Sequence, residues 1–256
     1  MAVHSDLAMN PLRELDGILA PDEVHVWHAE LTVPKSGVDR LFELLVPEER
    51  ERASRLKLPD LRTEFLITRA FLRLTLGRYL RMEAREIHFQ TTRYGKPELV
   101  TNSDLRFNLS HSFGAAVIAI ARNRMVGVDV ERIRENLDPI ELSDRFFSRP
   151  ESEWLLSQRP SERLRSFFSC WTAKEAYIKA RGEGVSRELK SFSVIPRANS
   201  SRLQLHDYDP SEESTSWSVW QLELGPDLHG ALAVEGEDCS VRLGRWPSVD
   251  AELDRA

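Results

Sequence analysis

Glu23-Val-His-Val-Trp-His-Ala-Glu-Leu31 and Met125-Val-Gly-Val-Asp-Val-Glu-Arg-Ile133 are the two stretches on which the fold turns. Both place β-branched residues in near alternation, the pattern of a half-buried strand. Each precedes a Pro-Glu helix start, Pro47-Glu48 and Pro150-Glu151, where proline sacrifices no helical hydrogen bond. Longer helical segments follow, Arg62 to Leu80 and Leu164 to Arg181, and then short strands, Glu86 to Gln90 and Ser191 to Ile195. A later strand closes each series, Gly114 to Ala121 and Gly230 to Glu235. Pro47 and Pro150 are 103 residues apart, and so are Leu61-Arg62 and Leu164-Arg165. This spacing predicts an internal duplication, and with it an α/β (α+β) chain of two similar subdomains. The expected boundaries are an N-terminal extension over 1–21, subdomains over 22–124 and 125–246, and a tail over 247–256. Asn199 to Ser216, rich in Ser, Asp and Glu, reads as a loop or irregular hairpin.

Composition narrows the class. With 256 residues, 41% hydrophobic and 30% charged, the chain can bury a core without staples. Cys170 and Cys239 lack a CxxC spacing, which argues against a disulfide framework and a structural zinc site. The apolar run Gly114 to Ala121 is far too short to span a membrane. Asp6, Glu14 and Asp16 interrupt any signal-like start, so a reducing cytoplasm is the expected compartment. The net charge of −6 argues against bulk nucleic-acid binding. Its distribution is uneven: residues 50–106 hold 13 Lys+Arg against 7 Asp+Glu, while residues from 126 onward hold 17 against 24. Either these are solvated helix faces, or the first half carries an anion site and the second a cation site.

On a strand, Asp129 and Glu131 share one face and Val128 and Val130 the other. Two carboxylates about 7 Å apart repel unless water or a cation intervenes. Oxygen ligands of this kind suit Mg²⁺; the alternative is a plain polar strand face. Phe167 to Lys179 reads as an amphipathic helix with Glu175 and Lys179 at the margin of its apolar stripe. An ordinary i,i+4 surface pair belongs on the far side, whereas a carboxylate at the core edge needs a partner. A metal shared with Asp129 and Glu131 would supply one. Phe107-Asn-Leu-Ser-His-Ser112 reads as a loop-to-strand corner whose hydroxyls and imidazole can bond phosphate oxygens, or as a polar turn. Lys96 sits in a turn between Gly95 and Pro97, and Arg62 and Arg69 lie near one face of a helix.

Taken in order, Tyr94-Gly-Lys-Pro97, Phe107 to Ser112, Gly127-Val-Asp-Val-Glu131 and Trp171-Thr-Ala-Lys-Glu-Ala-Tyr-Ile-Lys179 with Gly182 and Gly184 resemble the 4′-phosphopantetheinyl transferases. The likeness is to the longer, surfactin-synthetase (Sfp) type, and it covers roughly residues 22–246. It implies two pseudo-twofold-related subdomains with the active site in the cleft between them. The implied reaction moves 4′-phosphopantetheine from coenzyme A to a serine of an apo acyl or peptidyl carrier protein, releasing adenosine 3′,5′-bisphosphate. The carrier could serve fatty acid, polyketide or nonribosomal peptide synthesis.

By the same resemblance, Asp129, Glu131 and Glu175 are Mg²⁺ ligands, with Glu175 the first choice of base. Lys179 contacts the pyrophosphate, Ser110 and His111 contact phosphate, and Lys179 and His111 stabilise the leaving group. Lys96, Arg52 and Arg62 belong to the coenzyme A site, Arg62 near the 3′-phosphate. Glu151 matches a family position near the cleft. Glu49 departs from the pattern, standing where the surfactin-type protein has a lysine for the nucleotide, which implies a looser grip on the 3′-phosphate or a grip by Arg50 or Arg52 instead. An internal repeat builds the cleft within one chain, so a monomer suffices. Two other readings stay open: a Mg²⁺-dependent phosphohydrolase using water as acceptor, and a carrier-binding module with a relict site.

Overall fold

The structure, a computed structural model, describes residues 10–12, 18–31, 35–101, 103–197, 200–208 and 215–247. Its first series is β2 (Glu23–Glu30), α1 (Lys35–Leu44), α2 (Pro47–Arg55), α3 (Pro59–Leu80), β3 (Phe89–Thr91), β4 (Pro97–Leu99), β5 (Leu105–Ser112) and β6 (Ala115–Arg122), preceded by β1 (Asn10–Leu12). The second is β7 (Val126–Arg132), α4 (Pro139–Phe146), α5 (Arg149–Ser157), α6 (Arg163–Arg181), β8 (Phe192–Ile195), β9 (Arg202–Asp207), β10 (Trp217–Leu222) and β11 (Leu228–Glu235), followed by β12 (Ser240–Arg245). Among the described residues each series is a strand, three helices and four strands. The sheets repeat this: β2-β6-β5 in the first sheet matches β7-β11-β10 in the second.

Alternation along the strands explains the layering. Val24 and Val26 of β2 face the second sheet, where with Val117, Ala119, Val128, Val130, Leu232 and Val234 they form the core between the sheets. Trp27 and Ala29 face the other way, onto Ile67, Phe71 and Leu74 of α3. β6 is covered on both sides, which is why Ala115 to Ala121 is an unbroken apolar run. Beneath the second sheet, Ala173, Ala176 and Ala180 let α6 lie close against β7 and β11. The order is therefore helices, sheet, sheet, helices, with two similar halves back to back.

Several local expectations change. The strand expected from Glu86 starts at Phe89, because Ala84–Glu86 form a 3₁₀ turn and Arg73 draws the carbonyls of Ala84 and Ile87 inward. Within 199–216, expected as a loop or irregular hairpin, Arg202–Asp207 is a regular strand that pairs antiparallel with both β8 and β10; residues 199 and 209–214 lie outside the described ones. Phe107 to Ser112 is strand throughout, not a corner. β12, at the end of the stretch expected to complete the second half, joins the first sheet in parallel between β1 and β2. Of the expected tail, 248–256 also lie outside the described residues.

Candidate active site

β7 is the edge of its sheet, and its open side faces β5 of the other sheet. An edge strand leaves backbone N–H groups unpaired. Here side chains accept from them: Asn108 Oδ1 from the Val128 amide at 2.8 Å and Ser110 Oγ from the Val130 amide at 3.4 Å. The period-two set Asn108, Ser110 and Ser112 thus lines one face of β5 against β7. Ser110 Oγ donates to Asp129 Oδ1 at 2.8 Å, and Ser112 Oγ donates to Glu131 Oε2 at 2.7 Å. The hydroxyls hold both carboxylates in fixed rotamers. Asn108 was not among the expected site residues, and the hydroxyls of this stretch were expected to face phosphate rather than β7, although polar residues repeating at every second position were the available signal.

The helix completes the cluster. Gly127 lets α6 approach β7 backbone to backbone; a Cβ there would lie 2.2 Å from the Ala176 oxygen and the Ala180 nitrogen. Lys179 Nζ consequently reaches Asp129 Oδ1 at 2.6 Å and Ser110 Oγ at 3.0 Å. One turn earlier, Glu175 is pushed above the usual carboxylate range, first by burial and then by the charge of Asp129, with Glu131 adding and Lys179 opposing. Ser110, Asp129, Glu131, Glu175 and Lys179 are therefore brought together. Glu175 and Lys179 also line a cavity of about 560 Å³ with Arg145, Phe146, Ile178 and Lys190.

Whether these residues fit a cation rests on the acids themselves. Among the described residues no three His, Cys, Asp or Glu side chains are gathered as a ligand cluster, and Asp129 Oδ1 is bound by the Lys179 ammonium. Yet Asp129 Oδ2 is buried without a hydrogen-bond partner, and Glu175 sits among like charges. An orphaned carboxylate oxygen beside a second carboxylate that resists ionisation is a donor set short of positive charge. A hard, oxygen-seeking ion such as Mg²⁺ fits it.

Other expected site residues lie apart. His111 projects from the opposite face of β5 to Ser110, half exposed, its Nδ1 3.2 Å from Glu64 Oε1 on α3. Arg52 and Arg62 are exposed on α2 and α3, with guanidinium carbons 5.2 Å from the Phe65 ring and 5.9 Å from the Phe42 ring. Lys96 Nζ donates to the carbonyls of Lys179, Val126 and Ala180 at 2.8, 3.1 and 3.3 Å.

Glu49 is buried and accepts from Arg69 Nε at 2.6 Å and Arg73 Nε at 2.7 Å. Its neighbour Arg50 donates to the carbonyls of Leu45 and Glu43. Glu151 is the second half's counterpart, third residue of α5 as Glu49 is of α2. It accepts from Lys174 Nζ at 2.7 and 2.8 Å, from the Val194 amide and from Ser148, all fully buried. Both acids fasten a second helix to the third.

Comparison with known proteins agrees with this arrangement. Residues 33–123 match the N-terminal model of the 4′-phosphopantetheinyl transferases, and residues 125–234 match the model of the 4′-phosphopantetheinyl transferase superfamily. The 4′-phosphopantetheinyl transferase HetI of Nostoc sp. is 36% identical over 223 residues, covering 85% of this chain and 90% of that protein. The 4′-phosphopantetheinyl transferase Sfp of Bacillus subtilis is 33% identical over 156 residues, covering 61% and 68%. With a duplicated α/β fold, family models matched over both halves and a 36% identical relative covering 85% of the chain, this protein belongs to the 4′-phosphopantetheinyl transferase superfamily.

Proposed function

We propose that this transferase moves the 4′-phosphopantetheine group of coenzyme A onto a serine hydroxyl of an apo acyl or peptidyl carrier protein, releasing adenosine 3′,5′-bisphosphate. The observation that carries the reading is Asp129, bound by the Lys179 ammonium and left with Oδ2 unpaired, beside Glu131 on the same strand and a Glu175 whose ionisation both acids oppose. Asp129, Glu131 and Glu175 would hold Mg²⁺, which when bound neutralises charge on the pyrophosphate.

The chain's own residues supply the rest. Glu175, whose proton affinity is raised, takes the proton of the incoming serine, directly or through a water. The serine oxygen forms its bond to the pantetheine-side phosphorus as the bridging P–O bond breaks. Lys179, paired with Asp129 beside the acids, turns to the departing bisphosphate and balances its charge. His111, Arg52 and Arg62 lie on the first half, where an extended nucleotide with a 3′-phosphate would meet positive charge. The basic and apolar walls of the cavity beside Glu175 suit the pantetheine arm and an acidic acceptor. The proposal includes a monomeric, cytoplasmic enzyme. Among the described residues no helix is long and apolar enough to cross a membrane.

Incubation with fluorescent coenzyme A, Mg²⁺ and a panel of apo acyl and peptidyl carriers tests this. Label should appear on a carrier in a gel and vanish when its acceptor serine is replaced by alanine. Consumption of coenzyme A without any carrier would instead favour hydrolysis by water.

A further inference from the structure

Lys96 stands outside the acidic cluster but touches the elements that make it. It follows the turn between β3 and β4, whose shape is fixed by Gly95 at φ +87°, by the Gly95 amide on the Thr92 carbonyl at 3.0 Å and by the Lys96 amide on Thr92 Oγ1 at 3.1 Å. From there its side chain crosses into the second half. An ammonium has three N–H donors. Three backbone carbonyls receive them, Lys179, Ala180 and Val126, leaving none for an anionic ligand.

Two of those carbonyls belong to the last turn of α6, where helix carbonyls lack helical partners and the dipole favours a cation. The Gly182 amide, in left-handed backbone at φ +70°, closes on the Ile178 carbonyl at 3.0 Å. That cap leaves the carbonyls of Lys179 and Ala180 to Lys96. The third carbonyl, Val126, opens β7 three residues before Asp129. The same turn presses Tyr94 against Gly184, just beyond α6, where an added Cβ would meet Tyr94 Cβ at 3.1 Å. Burial draws the Lys96 ammonium down to about 8, against the opposing charge of Glu98 and with a small push from Arg106. A cation whose three donors all go to backbone carbonyls acts on the elements that it fastens.

We propose that Lys96 is a positioning residue for the transfer reaction, its ammonium pinning the end of α6 to the start of β7 so that Glu175 and Lys179 face Asp129 and Glu131 at the working height. The inference rests on the function proposed above. Lys179 makes the coupling direct: its carbonyl is tied to Lys96 and its ammonium to Asp129. A shift of about 1 Å between reacting groups can cost roughly 100-fold in rate.

Lys96→Met, with Lys96→Gln as the milder variant should the first fold poorly, separates tethering from ligand binding. Calorimetric Kd values for coenzyme A and its 3′-dephospho analogue should stay within about twofold of wild type while kcat for carrier modification falls about 10- to 100-fold. Amide exchange of residues 178–182 should quicken in both variants. Unchanged exchange there would overturn the proposal whatever the activity. So would weaker coenzyme A binding, more for coenzyme A than for the analogue, with kcat preserved, since Lys96 would then be a phosphate contact. If wild type neither binds coenzyme A nor labels a carrier, the functional reading fails, and exchange still decides the tether.

Discussion

Glu175 stands where burial and the charges of Asp129 and Glu131 all resist its ionisation. Its folded-state pKa is raised above 4.5, so its contribution to stability is full below that value and lost as pH rises through the raised one. Above that value, ionising Glu175 therefore costs the fold something. Glu175→Gln should raise Tm near pH 8, and the advantage should shrink away at about pH 3, well below both values, where the carboxyl is protonated folded or unfolded. Calorimetry at the two pH values checks this, and a variant less stable than wild type at the higher pH would refute it. Activity should move the other way, falling about 10²- to 10⁴-fold on loss of the base. Arg62 offers a separate test on the first half. Arg62→Ala should weaken coenzyme A about tenfold, the worth of one charge-assisted hydrogen bond, and leave the 3′-dephospho analogue nearly unaffected. Equal losses for both ligands would remove the 3′-phosphate from its role.

At the scale of elements, the site depends on β5 and β7 meeting through side chains. Ser110 serves both Asp129 and the Val130 amide, and Ser112 serves Glu131. Ser110→Ala should cost about 1–3 kcal/mol because buried polar groups on β7 lose their partner. Ser112→Ala should cost less, with a single bond lost. His111→Ala, on the exposed face of the same strand, should stay within about 0.5 kcal/mol. Urea denaturation of the three variants ranks them, and a His111 cost equal to that of Ser110 would contradict the strand geometry. This contact also marks where reading the sequence stopped short. That Asp129 shares a face with Glu131, and that Glu175 and Lys179 lie at the edge of an apolar stripe, was legible because strand alternation and helical spacing are local; their joining in one site came from the family resemblance. The pairing of Asn108, Ser110 and Ser112 with β7 was not legible, because polar residues turned toward another sheet's edge look like residues turned toward water. Glu49 and Glu151 were hidden in the same way. An acid in the first turn of a helix is usual for the dipole, and only the distant arginines or lysine reveal that it is buried.

On the scale of the whole molecule, the duplication was readable from matched spacings, but the chain's return to its beginning was not. β12 pairs with β2 more than 200 residues away in sequence, and no local pattern announces such a partner. Its consequence is that Trp246, just after β12, lies in the first half's core, 5.1 Å from Phe71 edge to face, with its amide on the His28 carbonyl. Between the sheets, Val24 and Val117 pack with Val128 and Val234, so neither half buries its inner face alone. These two couplings make one cooperative unit of two repeats. Trp246→Ala should cost about 3–5 kcal/mol, as for other buried aromatics, and should shift one unfolding transition seen alike by far-UV circular dichroism and tryptophan fluorescence. Two separated transitions, with the second half melting at its wild-type midpoint, would mean that the repeats fold independently and that the closing strand is only an accessory to the first sheet.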